Sequence, residues 1–326
     1  MPLVFVLAQA GGQSAIDRFL GAMVGGLSLG AIYALLALGF VIIFKATQVL
    51  NFAHGAVSAM GAYLVVYFAV IINFPGRYLE MFPNWVGWLA SAAVAIIVTA
   101  FIGLLLEVLF IRPMVGEPLF SIAIITLGID AVLRTITNDL IGTDQVSLGQ
   151  PLGIGAFEFG NVRVPHTQVA TVVVAILALV ALALFFKSRT GVAMRATAFD
   201  QESAMAQGIN VGRIFALAWM IGAALAAIAG VFVSIFPKSA GVSFTTAFVA
   251  LRALPIIVIG GLDSIVGAVV AGFAVGIFEV SAGVYLSQYS SVIGVGFSTI
   301  VPYLLMLAVL FVRPHGLFGT VEIRRV

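Results

Sequence analysis

The sequence predicts an all-α membrane protein, a polytopic bundle of about eight to nine transmembrane helices with broken or re-entrant candidates among them. Three observations predict it. Only 9% of the residues are charged, where a soluble domain carries roughly 25%. Hydrophobic residues make up 62%, and the mean hydropathy is +1.21. Apolar stretches of membrane-spanning length, roughly 20 residues, recur along the whole chain. The charge deficit weighs most, because a water-facing surface needs charge and lipid does not.

The apolar stretches run, in order, over 18–44, 47–73, 85–111, 119–140, 167–186, 213–236, 244–262, 265–286 and 294–312. The fourth and seventh carry Asp130, Arg134 and Arg252. They are the candidates for a broken or re-entrant path, which a membrane permits only where protein or water covers the backbone. The extreme N-terminus, Met1 to Ala10, is apolar and has no basic region. Ala8-Gln9-Ala10 faintly resembles a cleavage site, and the segment is read as a non-cleaved lead-in. All 326 residues read as a single membrane domain.

Lysine and arginine set the expected orientation. Segment 187–213 holds Lys187, Arg189, Arg195 and Arg213, and the tail holds Arg313, Arg324 and Arg325. Both are expected on the cytoplasmic side, with Lys45 and Arg112. Arg18, Arg77, Arg163 and Lys238 then fall outside.

Two loops carry local structure. In the outer loop, 141–166, alternating runs flank Gly160-Asn161, which predicts a small hairpin. It reads either as a cap over helix ends or as a docking surface for an extracytoplasmic partner. The inner loop, 187–212, is polar and helix-prone. Asp200 or Thr197 can cap a helix there, Ala204, Met205 and Ala206 favour its continuation, and Gly208 suits its end. Small residues recur at helical spacing in Gly21/Gly25, Gly26/Gly30, Gly222/Ala226/Gly230 and Gly272/Gly276. They read as close-packing positions between helices in lipid.

The motifs exclude more chemistry than they supply. There is no cysteine, hence no disulfide and no thiolate. His54, His166 and His315 are too dispersed for a metal-ligand spacing, and no metal or cofactor is expected. No P-loop, G-x-S-x-G or H-E-x-x-H is present, so neither ATP hydrolysis nor other enzyme chemistry is expected of this chain. The net charge of +2 gives no indication of nucleic acid. The informative polar segment is Gln48 to Ser58, where Asn51, His54 and Ser58 fall at i, i+3 and i+7 on one helix face. Polar groups at membrane depth turn inward. That face is either an interhelical hydrogen-bond cluster or a wall of a solute path, and Gly55 beside it marks a possible helix break. Asp130 and Arg134 are spaced to pair. Arg252 lies shortly before Pro255, and Glu279 sits inside an apolar run. Each charge reads as a site on the solute path or as a static pair within the bundle. Glu107 is expected near the inner surface beside Arg112.

A resemblance covers about residues 20–320. Gly26 through Gly39, Asn51-Phe52-Ala53-His54-Gly55 and Gly61-Ala62-Tyr63 open it. Arg195-Ala196, Gly208-Ile209-Asn210 and Ile221 through Ala226 continue it. Gly260-Gly261-Leu262-Asp263-Ser264 and Arg313-Pro314-His315-Gly316-Leu317-Phe318-Gly319 close it. In this order the pieces resemble the permeases of branched-chain amino-acid ATP-binding-cassette transporters. The resemblance implies an importer in the bacterial inner membrane. It implies two cytoplasmic ATPase subunits, a second and distinct permease subunit, and a periplasmic solute-binding protein. It makes 187–212 a coupling segment, with Arg195, Asp200, Glu202, Ala204 and Gly208 at the ATPase. Gln48, Asn51, His54, Ser58, Arg252 and Glu279 are then candidates for the translocation path. Asp263 departs from the pattern, since some relatives carry glycine there. A gradient-driven secondary transporter, with His54, Asp130 and Glu279 as relay groups, is the competing reading.

Overall fold

The computed structural model describes residues 14–114, 116–142, 145–153, 155–235 and 239–319. The N-terminal lead-in with Ala8-Gln9-Ala10, Lys238, and the tail arginines Arg324 and Arg325 lie outside the described residues. The fold is built around helix α1, Ala15–Thr47. Its 33 residues span about 50 Å, more than the roughly 30 Å of a hydrocarbon core. Ser14 and Asp17 close a reciprocal capping box at its start, with Asp17 N donating to Ser14 Oγ at 3.1 Å and Ser14 N to Asp17 Oδ2 at 3.2 Å. Gln48, at φ 56°, ends it in the left-handed conformation. From Ala31 to Ile43 α1 is buried on every side, so the other helices wrap it.

Helix α2, His54–Val66, continues through a wider turn at Tyr67–Ile71. Helix α3, Asn84–Leu106, does the same at Glu107–Ile111. Helix α4, Leu119–Ile141, is continuous, so the fourth apolar stretch is not broken. Strands β1, Ala156–Phe159, and β2, Val162–Pro165, pair antiparallel around Gly160-Asn161, which is the predicted hairpin. Helices α5, His166–Lys187, α6, Arg189–Phe199, α7, Gln201–Ala206, and α8, Val211–Ser234, follow. The seventh apolar stretch divides into α9, Thr246–Ala250, and α10, Ala253–Gly260. Helix α11 is Ile265–Tyr285, α12 is Ser290–Ile293 and α13 is Phe297–Val312. Among the described residues seven helices are long and apolar enough to cross a membrane. The bent pair Ser287–Ile293 and Phe297–Val312, inclined at 79°, makes an eighth if it counts as one span.

Thr246–Gly260 does not complete a crossing, since it rises only about 22 Å at 1.5 Å per residue. Pro255 explains the break. Proline has no N–H to give the carbonyl four residues back. Leu251 O is taken instead by Leu254 N at 3.1 Å, a tighter turn than an α-helix makes.

The ends of the bundle are tied by named contacts. At one end Lys45 Nζ donates to Asp263 O at 3.0 Å, a bond that does not involve the Asp263 side chain. At the same end the C-terminal segment folds back, with Leu317 N on Ile259 O at 2.8 Å and Phe318 N on Gly260 O at 3.1 Å. These bonds take up carbonyls at the end of α10 that the helix itself leaves open. Arg112 grips the fully buried Glu107 through Nε at 3.1 Å and a second nitrogen at 2.7 Å, and also reaches Gly212 O at 3.2 Å. At the opposite end Asn161 at the hairpin tip donates to Asp17 Oδ2 at 3.1 Å, over the start of α1.

The most extensive helix contact is α1 on α11, made by facing glycines. A Cβ placed on Gly30 would lie 2.7 Å from Phe273 Cα, and one on Gly276 would run into the backbone of Gly30. Only glycine allows this approach. We expect Gly276→Leu to lower the thermal midpoint of the detergent-purified protein by overpacking worth about 1–3 kcal/mol or more. Gly128→Ala should not lower the midpoint, because a Cβ placed there would meet nothing within 4 Å from a neighbouring element and alanine is the better helix former.

Candidate functional site

The site forms where the α9–α10 break meets its neighbours. Arg252 stands in the break, and its guanidinium donates to Glu279 Oε1 of α11 at 2.8 Å. Tyr33 of α1 donates its hydroxyl to Glu279 Oε2 at 2.6 Å, and Arg252 also reaches Tyr33 Oη at 3.4 Å. Glu279 lies 14 residues from the start of α11 (279 − 265), and Tyr33 lies 14 from the end of α1 (47 − 33). Both are therefore about 21 Å in from the Lys45 end, and Glu279 is six residues (285 − 279), about 9 Å, from the far end of α11. Glutamate and tyrosine are buried, while the arginine side chain keeps 26% exposure.

A second ion pair holds the other side of the break. Asp130 and Arg134, one turn apart on α4, pair as their spacing predicts. Arg134 also lies over the Phe248 ring of α9, 4.5 Å from its centroid. The broken span is thus gripped from α4 on one side and from α1 and α11 on the other.

Between these clamps lies a small pocket. Phe40 of α1 forms one wall, and Leu251, Ala253 and Leu254 of the break form another. Asn51, Phe52, His54 and Gly55, at the entry to α2, complete it. His54 is 4% exposed, with Nε2 3.1 Å from Leu36 O and Nδ1 without a partner among the described residues. Phe40 meets its ring edge-on at 6.0 Å.

Of the residues singled out along Gln48 to Ser58, only His54 and Ser58, one turn apart in α2, share a helix face. Helix α2 begins only at His54, so Asn51 lies in the preceding loop, where its Oδ1 accepts from Ala53 N at 3.1 Å. Gly55 sits in the first turn of α2 and breaks nothing. Ser58 turns to α8, where Gly230 leaves it room. Gln48 is exposed at the end of α1, outside the pocket. Asn51 and His54 reach the pocket, and Arg252 and Glu279 stand beside it. His54, Asp130 and Glu279, the relay candidates, are held by three separate sets of partners. Tyr33, Phe248, Leu251 and Leu254 were not singled out. Tyr33 had a signal, a phenol inside a long apolar run; the others look like any membrane residue.

The loop 187–212 is two helices, not one. Asp200 adopts an extended conformation between them, at φ −156° and ψ 110°. Its carboxylate accepts from Ser203 N at 3.0 Å and Ser203 Oγ at 2.7 Å, which caps α7. These bonds hold the Asp200 carboxyl below the usual carboxylate range. Thr197 is no cap: it is buried inside α6 and donates to Ala193 O at 3.0 Å. Gly208, at φ +80°, ends α7 as expected. Arg195, Asp200, Glu202 and Gly208 are exposed, whereas Ala204 is buried. Phe199, which sequence reasoning passed over, is 94% exposed at the end of α6.

Comparison with known proteins fits this architecture. The family described as "Branched-chain amino acid transport system / permease component" matches residues 22–310. The high-affinity branched-chain amino acid transport system permease protein LivH of Escherichia coli is 33% identical over 317 residues, covering 94% of this chain and 98% of LivH. The high-affinity branched-chain amino acid transport system permease protein BraD of Pseudomonas aeruginosa is 32% identical over 321 residues, covering 95% and 99%. A probable branched-chain amino acid transport permease protein LivH of Methanocaldococcus jannaschii is 26% identical over 308 residues, covering 90% and 91%.

Removing one partner of the Arg252–Glu279 pair leaves a charge stranded, which costs about 3–5 kcal/mol, while replacing both with apolar residues costs far less. We therefore expect Glu279→Leu to destabilise more than the double variant Glu279→Leu/Arg252→Met. Size-exclusion recovery after a heating series measures this. Equal losses in the single and double variants would refute the coupling of the two side chains.

Proposed function

We propose that this chain, which belongs to the branched-chain amino acid transport system permease family, is the membrane-spanning subunit of an ATP-binding-cassette importer for branched-chain amino acids or similar small polar solutes. The match to LivH and BraD over nearly their whole lengths carries the reading. The translocation path runs beside the α9–α10 break, past Asn51, His54, Arg252 and Glu279. A re-entrant backbone at membrane depth must be covered by protein or water, and a solute path supplies the water.

In this reading ATP is hydrolysed on two partner subunits, and the chain itself is not an enzyme. A second, distinct permease subunit completes the pore. The end with Lys45, Arg112 and α6–α7 faces the cytoplasm, and so does the C-terminus. The hairpin β1–β2 faces outward, where a solute-binding protein docks. Helices α6 and α7 form the coupling segment to the ATPase. Arg195, Asp200, Glu202 and Gly208 present its polar surface, and Phe199 is its apolar knob, worth about 1.5–3 kcal/mol if fully buried by the partner. Closure of the ATPases pushes this segment, and differential binding of solute to the two states of the permease sets the direction of transport.

Reconstitution of the permease pair with its ATPases and binding protein in proteoliposomes tests the assignment. Leucine uptake should require ATP and the binding protein. Phe199→Ala and Glu202→Ala should cut the stimulation of ATP hydrolysis by loaded binding protein several-fold, with the assembled permease still recovered. Unchanged stimulation in both variants would remove α6–α7 as the coupling segment. Leucine uptake by the purified chain alone, driven by an ion gradient, would refute the importer reading.

A further inference from the structure

We propose that Arg252 is a carboxylate-binding residue of the permease: the open edge of its guanidinium, formed by Nε and Nη2, receives the carboxylate of an amino-acid solute that enters from the hairpin end. The inference rests on the importer reading and narrows its solute class. An α-amino acid fits this edge, and a neutral amide or urea does not.

The hydrogen bonds of Arg252 leave that edge open. Both run through one nitrogen, Nη1, to Glu279 Oε1 at 2.8 Å and to Tyr33 Oη at 3.4 Å. Nε and Nη2 have no hydrogen-bond partner among the described residues. Arg134 Nε is buried in that condition, but neither of these two atoms is, and the Arg252 side chain keeps 26% exposure. Along the Nε–Nη2 edge a guanidinium presents two parallel N–H groups, which match the two oxygens of a carboxylate. Glu279 and Tyr33 grip the opposite corner, so they act as positioning residues that fix the edge before a solute arrives.

The position of the cluster says what the edge faces. Glu279 lies about 9 Å from the end of α11, beside Val280, which packs on Gly25 near the start of α1. The hairpin lies over that start through Asn161 and Asp17. Hydrocarbon offers no acceptor to an N–H at this depth, and an arginine inside a span turns to water or protein. In the proposal the edge opens onto water that is continuous with the hairpin side. Charge then selects among solutes. The Arg252–Glu279 pair is neutral, and a zwitterion adds no net charge to it. An amide or urea offers one oxygen and no charge, and a hydrogen bond without charge is roughly half as strong.

The chain has no cysteine, so one introduced thiol reports on the site. Tyr303 of α13 is exposed and lies within electrostatic reach of Arg252. In the reconstituted complex, Tyr303→Cys should react with an anionic, membrane-impermeant methanethiosulfonate, read by mass spectrometry of this chain. Leucine should slow the reaction several-fold, and leucinamide should not. Adding Arg252→Lys keeps a charge for Glu279 but loses the fork. It should raise the half-protecting leucine concentration about tenfold, the loss of one charge-assisted bond. If the lysine variant fails to assemble, Arg252→Met/Glu279→Leu takes its place and should abolish protection. If neither assembles, the contrast between leucine and leucinamide decides alone. No reaction at all would mean that a partner subunit covers the edge, and would overturn the proposal. So would absent protection by leucine, equal protection by leucinamide, or protection unchanged in the Arg252 variants. Each of these results leaves the importer reading standing if the wild-type complex takes up leucine with ATP and the binding protein. Absence of that uptake would overturn the importer reading, and this inference with it.

Discussion

In hydrocarbon a peptide group that is not hydrogen-bonded by protein has no solvent to turn to. Much of the architecture follows from how this chain meets that constraint at the interrupted segment Thr246–Gly260. Pro255 removes a donor from the helix interior, and Thr246–Gly260 is in any case too short to cross. Everything around it compensates. The tightened turn at Leu251 takes up one carbonyl, and the folded-back C-terminal segment takes up Ile259 O and Gly260 O. The glycine contact of α1 with α11 brings Tyr33 and Glu279 close enough to meet Arg252.

The two ion pairs beside the break differ in what they tie together. Arg252–Glu279 joins the break itself to the central helices. Asp130–Arg134 is internal to α4 and touches α9 only through the Phe248 ring. One side of the broken span is therefore held by a charge-assisted bond, the other by a weaker contact between a cation and a π face.

Much of the fold was legible because membrane-spanning sequence is read locally. Hydropathy over a window predicts where helices lie, and the Gly160-Asn161 turn predicts a hairpin between flanking alternating runs. Asp130 and Arg134 were readable as a pair because one helical turn separates them. The same local logic misled at Asn51, which was expected on one helix face with His54 and Ser58. A shared face requires a helix, and α2 starts only at His54. It also merged α6 and α7, because Asp200 is compatible with a helix start but does not announce the kink that its side-chain cap allows.

By itself the sequence determined residence in the membrane, the position of the spans, the lack of a nucleotide-binding loop and a polar surface segment between two spans. These are properties of composition and of neighbours along the chain. Only the tertiary structure decided that Arg252 answers Glu279 and Tyr33, that Ser58 belongs to a helix contact, and that His54 meets Leu254 across a pocket. The partners of a buried polar group are chosen by which helices pack together, and in lipid that choice rests on glycine contacts and shape rather than on hydrophobicity, which is the same on every face.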